Sequence, residues 1–246
     1  MILFALALAA VQPAPASDEA AFARCAARAR AEPAAAVTIA NEWLIRGGGI
    51  FARQCLGLAY AGMQRWAPAA AAFEQAADAA ETSRDPRAAD FRVQAGNAWL
   101  AAADPAKARL AFDAALATTA LTPELRGEVH LDRGRAGVAL GDVAGARADF
   151  DRAKALVPAD PFVWYMSSAL ALRQSDLPRA QDDIAEAVRL APDNPDLLVH
   201  AGNVAGVSGE TQAARGLFAK AIRLAPASDA AKAARAALAA NAKAAR

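Results

Sequence analysis

The residues of this 246-residue chain whose type and spacing invite a chemical reading are His130 and His200, Cys25 and Cys55, Ser167-Ser168, Gly47-Gly48-Gly49, and the aspartates Asp149, Asp151, Asp182 and Asp183. A metal centre needs ligands at short, repeated spacing, and no CxxC, HxxxH or His/carboxylate cluster is present. The two histidines therefore read as groove-edge or packing residues. Ser167-Ser168 lacks the glycine elbow that exposes a nucleophilic serine, and reads as a packing substitution. The triple glycine lacks the Lys-Ser/Thr that follows a phosphate loop, and reads as a helix C-cap and breaker. The four aspartates read as carboxylates on solvated helix faces. No catalytic residue, metal or cofactor is expected, and the chain is not expected to be an enzyme.

The elements that would position these groups are helices. The chain is 56% hydrophobic but only 6% aromatic, with roughly three residues in ten being Ala. Ala has the highest helix propensity and loses no side-chain entropy on burial, so closely approaching helices are expected. Strand signals are almost absent. A formal net charge of +1 argues against nucleic acid, whose phosphates require a basic stripe.

At the N-terminus, Ile2 to Val11 is an unbroken apolar run, followed by Pro13-Ala14-Pro15-Ala16 and then Ser17-Asp18-Glu19. The run is too short for a membrane-spanning helix and suits a secretory signal with an A-x-A cleavage site. Residues 1–16 are expected to be a signal peptide, although Met1 alone forms an n-region without Lys or Arg. The expected location is periplasmic, the alternative cytoplasmic, with no stable membrane insertion after cleavage.

Pro158, Pro192 and Pro226 follow one another at intervals of 34, each closing an Ala-rich segment. Each segment carries Ala, an apolar residue four positions on and Ala three further, as in Ala146, Phe150 and Ala153. Working backwards, the frame catches Ala108/Phe112, Ala69/Phe73 and, faintly, Ala35/Ile39. A small residue recurs about eighteen positions before the second Ala: Gly57, Gly96, Gly134, Ser168 and Gly202. A tandem period near 34 is that of two-helix repeats. The small residue and the first Ala are expected where helices A and B of a unit cross, with the apolar ridge filling the space between units. Ala103-Asp104, Gly141-Asp142, Ser175-Asp176 and Gly209-Glu210 read as turns followed by N-capping carboxylates. Pro123, Pro161 and Pro195 read as starts of A helices.

On these residues the chain resembles the tetratricopeptide repeat (TPR) family. The resemblance implies an all-α, right-handed α-solenoid of six helix pairs, over 17–49, 50–85, 86–122, 123–159, 160–193 and 194–226, with a capping helix at 227–246. The frame stretches around the third and fourth units, which predicts A helices lengthened by one turn there. Glu81 to Asp85 is the most linker-like segment. Cys25 and Cys55 fall on comparable faces of consecutive A helices. The small neighbours Ala21, Ala26 and Ala59 let the helices come within the Cα separation of about 7 Å that a disulfide needs, so a bond is expected; two small buried residues are the alternative.

In that family the residues facing the groove fall at fixed points of helix A. The resemblance implies Phe51, Gln54 and Leu58 in the second unit, Gln94 and Asn97 in the third, Glu128, Asp132 and Arg135 in the fourth, Phe162 and Tyr165 in the fifth, and Asp196, His200 and Asn203 in the sixth. Asn97 and Asn203 recur where the family often uses Asn to hold a ligand's backbone; Arg24 and Arg135 occupy that point in their units. The Lys/Arg set that grips a C-terminal carboxylate in chaperone-binding relatives is not reproduced. The implied function is a non-catalytic scaffold that binds a peptide or protein segment in a concave groove, with neither nucleic acid nor membrane as a partner. The alternative is an envelope module that binds glycan or stem peptide through Phe51, Phe162 and Tyr165.

Overall fold

The computed structural model describes residues 17–244, with side chains as far as residue 240. The expected signal segment 1–16 lies outside the described residues. Thirteen helices follow one another: α1 (Asp18–Ala31), α2 (Pro33–Ile45), α3 (Gly49–Gly62), α4 (Trp66–Ser83), α5 (Ala88–Ala101), α6 (Pro105–Leu116), α7 (Pro123–Leu140), α8 (Val143–Leu156), α9 (Pro161–Arg173), α10 (Leu177–Leu190), α11 (Pro195–Val207), α12 (Thr211–Leu224) and α13 (Asp229–Ala244). They pair in order, α1 with α2 through α11 with α12, as a right-handed solenoid of six A/B units. The trailing helix α13 lies on α11 and α12 and buries Ala230, Ala231 and Ala234 there.

Helix starts follow local chemistry. Pro33, Pro105, Pro123, Pro161 and Pro195 stand at the first helical position, where a missing N–H costs little. Asp104, Thr122, Asp142, Asp160 and Asn194 accept hydrogen bonds from backbone N–H groups of the first turn. Asp176 and Glu210 also stand at N-cap positions, but their side chains make no capping bond. They turn instead toward the preceding unit.

Inside each unit the packing differs in part from the expectation. The aromatic ridge of helix B shares its buried cluster with helix A of the next unit, Phe73 with Val93, Phe112 with Val129 and Phe150 with Val163, as expected, and it also lies over the small residue of its own helix A. A Cβ on Gly57, Gly134 or Gly202 would stand 2.5 Å from Cε1 of Phe73, Phe150 or Phe218, and Gly96 faces Phe112 in the same way. The first Ala of helix B meets a different glycine, one turn further along helix A: Ala146 faces Gly137 and Ala214 faces Gly206. In the fifth unit Ile184 replaces the ring, and the space it leaves admits the hydroxyl of Ser168. In the first unit the frame is shifted by one residue, since Ala36 and Ala40 are fully buried while Ile39 is 40% exposed.

The extra turn also falls differently. In the fourth unit α7 is long, with 18 residues, but in the third unit α5 has 14, and the other 18-residue helix is α4, the B helix of the second unit. Glu81 to Ser83 are the last turn of α4, which Arg84 closes in the left-handed conformation. Arg92 of α5 ties this turn down by donating to Asp78 at 2.7 Å and to Glu81 at 2.9 Å. Three of the five residues with linker-like composition are thus helix, and Glu81 braces them to the next unit, while Arg84 and Asp85 form the connection.

Cys25 of α1 and Cys55 of α3 are bonded to each other, with Cα atoms 6.0 Å apart and both residues buried. Gly47 and Gly49 adopt positive φ in the turn between α2 and α3, which gives the triple glycine its structural role.

Candidate functional site

The A helices form the inner wall of the solenoid. Helix A of one unit touches helix A of the next, α5 with α7, α7 with α9 and α9 with α11. On the outer side the B helices stand further apart, and a groove of about 540 Å³ separates α10 from α12, floored by Ala201, Val204 and Ala205 of α11. The groove residues expected from sequence are therefore carried by the wall whose helices run closest together.

Three of them are brought together across the third and fourth units. Arg135 donates to Asp132 at 2.7 Å, and the Asn97 amide of the preceding A helix faces the same carboxylate and favours its charged form. Burial pushes the Asp132 carboxyl up from its ordinary value, against the opposing pull of Arg135 and Asn97. Arg135 keeps 43% of its side chain exposed. The result is an amide and a guanidinium presented side by side, each able to donate to a carbonyl or carboxylate of a bound segment.

A second cluster spans the fifth and sixth units. Phe162 and Tyr165 stack with centroids 5.7 Å apart, and Tyr165 meets His200 edge-on at 5.0 Å. Behind them Ser168 Oγ lies 3.0 Å from His200 Nε2, a separation that suits a nucleophile and its base. The hydrogen inventory excludes that role. Ser168 has one hydroxyl hydrogen and donates it to the Ala180 carbonyl at 2.7 Å, so Nε2 must be the donor to Ser168. Burial lowers the His200 pKa to about 4, which keeps the ring neutral at pH 7. His200 is thus a donor to a fully buried serine on one side, and its Nδ1 lone pair remains on the other.

The other expected residues are placed separately. Phe51 lies 5.7 Å from Phe22, and the Arg87 guanidinium covers its face at 4.3 Å. Leu58 packs into the core beside Ala29 and Ala59. Gln54 and Gln94 are half-buried, whereas Glu128, Asp196 and Asn203 are exposed.

Two carboxylates read as solvated are in fact buried. Asp149 is 5% exposed and accepts from His130 Nδ1 at 2.9 Å and from Arg133 at 2.7 and 2.9 Å; Arg133 also reaches Asp113 of the preceding unit at 2.6 Å. Burial raises the Asp149 pKa, but the bonds from His130 and Arg133 outweigh it and hold the carboxyl at about 2. One repeat later Asp183, 4% exposed, accepts from Ser167 at 2.6 Å and from Lys154 at 2.9 Å. These clusters are saturated by their own partners and bind helices together.

Sequence reasoning also missed a ladder on the outer side. Arg109 donates to Asp142, Arg147 to Asp176 and Gln181 to Glu210, each at 2.9 Å. Each pair joins the residue after the first Ala of one helix B to the N-cap of the next. The sequence separations are 33, 29 and 29. The first is longer because the long α7 intervenes. That change of spacing is the signal a search would have needed.

Among the described residues no group of three or more His, Cys, Asp or Glu side chains is arranged to hold a metal ion, and no described helix is long and apolar enough to cross a membrane. No family model matches the sequence, and no curated protein matches it. Solved structures do. The chain is similar to PilW, a type IV pilus biogenesis factor, with TM-score 0.72 and 20% identity over 88% of this chain and 97% of that one. It is similar to PilF of Pseudomonas aeruginosa, with TM-score 0.68 and 17% identity over 90% and 99%. It is also similar to YrrB, a TPR protein with an unusual peptide-binding site, with TM-score 0.56 and 20% identity over 75% and 90%. At these identities the likeness concerns architecture: the chain has the TPR-type α-solenoid fold.

Proposed function

We propose that the chain is a non-catalytic scaffold that holds an extended peptide or protein segment in its concave groove, working in the bacterial envelope. The observation that carries this reading is the cluster of Asn97, Asp132 and Arg135. It places a side-chain amide and a half-exposed guanidinium on neighbouring helices of the inner wall, where main-chain groups of a bound segment would lie. The unusual peptide-binding site of YrrB supports the same use of the fold. Support for the envelope comes from the signal-like residues 1–16, from a disulfide of the kind that persists in oxidising compartments, and from the likeness to the pilus biogenesis factor PilW.

A glycan-binding groove would need open aromatic faces. Arg87 covers Phe51, and Phe162 and Tyr165 each give one face to the other, which removes three of the faces on which a sugar would stack and favours a peptide. The test is the double variant Asn97→Ala/Arg135→Ala, assayed for partner capture from envelope extracts and for helicity. Capture reduced tenfold or more at unchanged helicity supports the reading. Unchanged capture contradicts it.

A further inference from the structure

At the C-terminal end of the groove a cavity of about 300 Å³ opens between α9, α11 and α13, and its wall includes Tyr165, Asp196, His200, Asn203 and Asp229. Four of these stand among the groove residues expected from sequence. The fifth, Asp229, is brought in by the capping helix, which from sequence alone reads as a mere cover. The cavity thus exists only because α13 folds back along the inner end of α11.

Its chemistry has one sign. Two carboxylates stand at the mouth, and no lysine or arginine belongs to the lining. Lys232, on the exposed side of α13, reaches Asp229 at 2.8 Å but leaves that carboxylate 96% exposed. Deeper in, the Tyr165 ring supplies an aromatic surface. The proton count at Ser168 makes His200 Nε2 a donor and burial keeps the ring neutral, so Nδ1 adds an acceptor and no positive charge. Asn203 adds an amide oxygen. Carboxylates, an aromatic ring and neutral acceptors around a space of one side chain form a receptor for a cation, since a guanidinium or ammonium gains from charge pairing and from the ring quadrupole together.

Resting on the groove-binding reading above, we infer that this cavity receives a lysine or arginine side chain of the bound partner segment, so that the partner carries a basic residue at the C-terminal end of the groove. The segment then runs from the Asn97/Arg135 cluster, which holds its backbone, toward the acidic cavity, which sets its register. Specificity comes from the cavity because a neutral side chain there would forgo pairing with Asp196, the carboxylate that Lys232 does not reach.

The test uses the full chain and two acetylated tetrapeptide amides, Ala-Ala-Arg-Ala and the same peptide with citrulline, the uncharged isostere, in place of Arg. Binding is followed by the side-chain NMR signals of Tyr165 and His200 at low ionic strength. The arginine peptide is expected to shift both signals and to bind at least tenfold more tightly than the citrulline peptide. The double variant Asp196→Asn/Asp229→Asn, whose two sites are exposed on the surface, should keep its helicity and lose that preference. Equal binding of the two peptides, or a preference that survives in the double variant, overturns the inference. Crosslinking from Asn97 separates the two levels: a partner captured there without any arginine preference removes the basic-residue inference alone, whereas failure of both removes the groove reading as well.

Discussion

The ring of Phe150 occupies the place where a side chain on Gly134 would stand, with its Cε1 2.5 Å from the position a Cβ would take. The same pairing recurs in three other units, and the four rings are at most 4% exposed. A large side chain on helix B is therefore matched by the absence of one on helix A, and the alanines around this contact let the two axes approach. Much of the Ala and Gly content is architectural for this reason.

Replacing Gly134 with Ala should cost about 1–3 kcal/mol, because the enclosed ring cannot move away without straining its surroundings. Gly206→Ala is the internal comparison. The nearest atom to a Cβ there is 4.0 Å away, so that variant should be neutral or more stable by up to about 1 kcal/mol through helix propensity. Urea unfolding of the two variants checks both signs. Equal destabilisation would mean that the ring contact does not set the helix separation.

Asp149 joins His130, Arg133 and, through Arg133, the preceding unit. Its folded pKa of about 2 lies below the unfolded value of 3.8, so the folded state binds fewer protons between these values. The stabilisation is fully present above about pH 4 and is lost as pH falls through 2, and its size is on the order of 2 kcal/mol. Asp149→Asn should cost about 3 kcal/mol at pH 7, since it leaves Arg133 short of a buried counter-charge. It should also flatten the dependence of the urea midpoint on pH between 4 and 2. An unchanged slope would assign acid sensitivity elsewhere.

His200 gives a second acid-side signature. Its folded pKa of about 4 lies below the ordinary 6.5 because burial disfavours the charged ring. Its contribution is complete above about pH 6.5 and declines as pH falls toward 4. An NMR titration should find the His200 midpoint near 4, with the proton of the neutral ring on Nε2. A midpoint near 6.5 would show that the ring is not held against Ser168.

The disulfide closes a sequence separation of 30 residues between the first and second A helices. On the chain-entropy account its removal should cost about 3–4 kcal/mol. Cys25→Ala/Cys55→Ala should lower stability by about that amount, with hydrogen exchange accelerated first in α1 and α2. Uniform acceleration along all thirteen helices would contradict a local role.

The order of helices is legible in the sequence because Pro, Gly and Asp punctuate the units and a frame near 34 residues repeats, stretched around the third and fourth units. The destination of the side chains is less so. Period alone places Phe150 and Gly134 on facing surfaces but does not tell which neighbour they meet. Asp149 and Asp183 read as solvated because a carboxylate in an Ala-rich helix normally is. Their partners Arg133 and Lys154 stand on other helices, at separations no local pattern connects. Pro86 resembles a helix start and so draws the extra turn before the third unit toward α5, yet that turn belongs to α4, whose end Arg92 holds in place. Of the groove, Asn97, Asp132 and Arg135 converge and Tyr165 reaches His200, whereas Leu58 enters the core and Phe51 is covered.

Binding on the inner wall is the central claim. The most direct measurement is photocrosslinking in cells from an unnatural amino acid at Asn97, with Asp182 on the outer face of α10 as the comparison. A discrete adduct from position 97, competed away in the Arg135→Ala background and absent from position 182, is the predicted result. Capture from position 182 with none from position 97 would contradict that claim and move the site to the convex side.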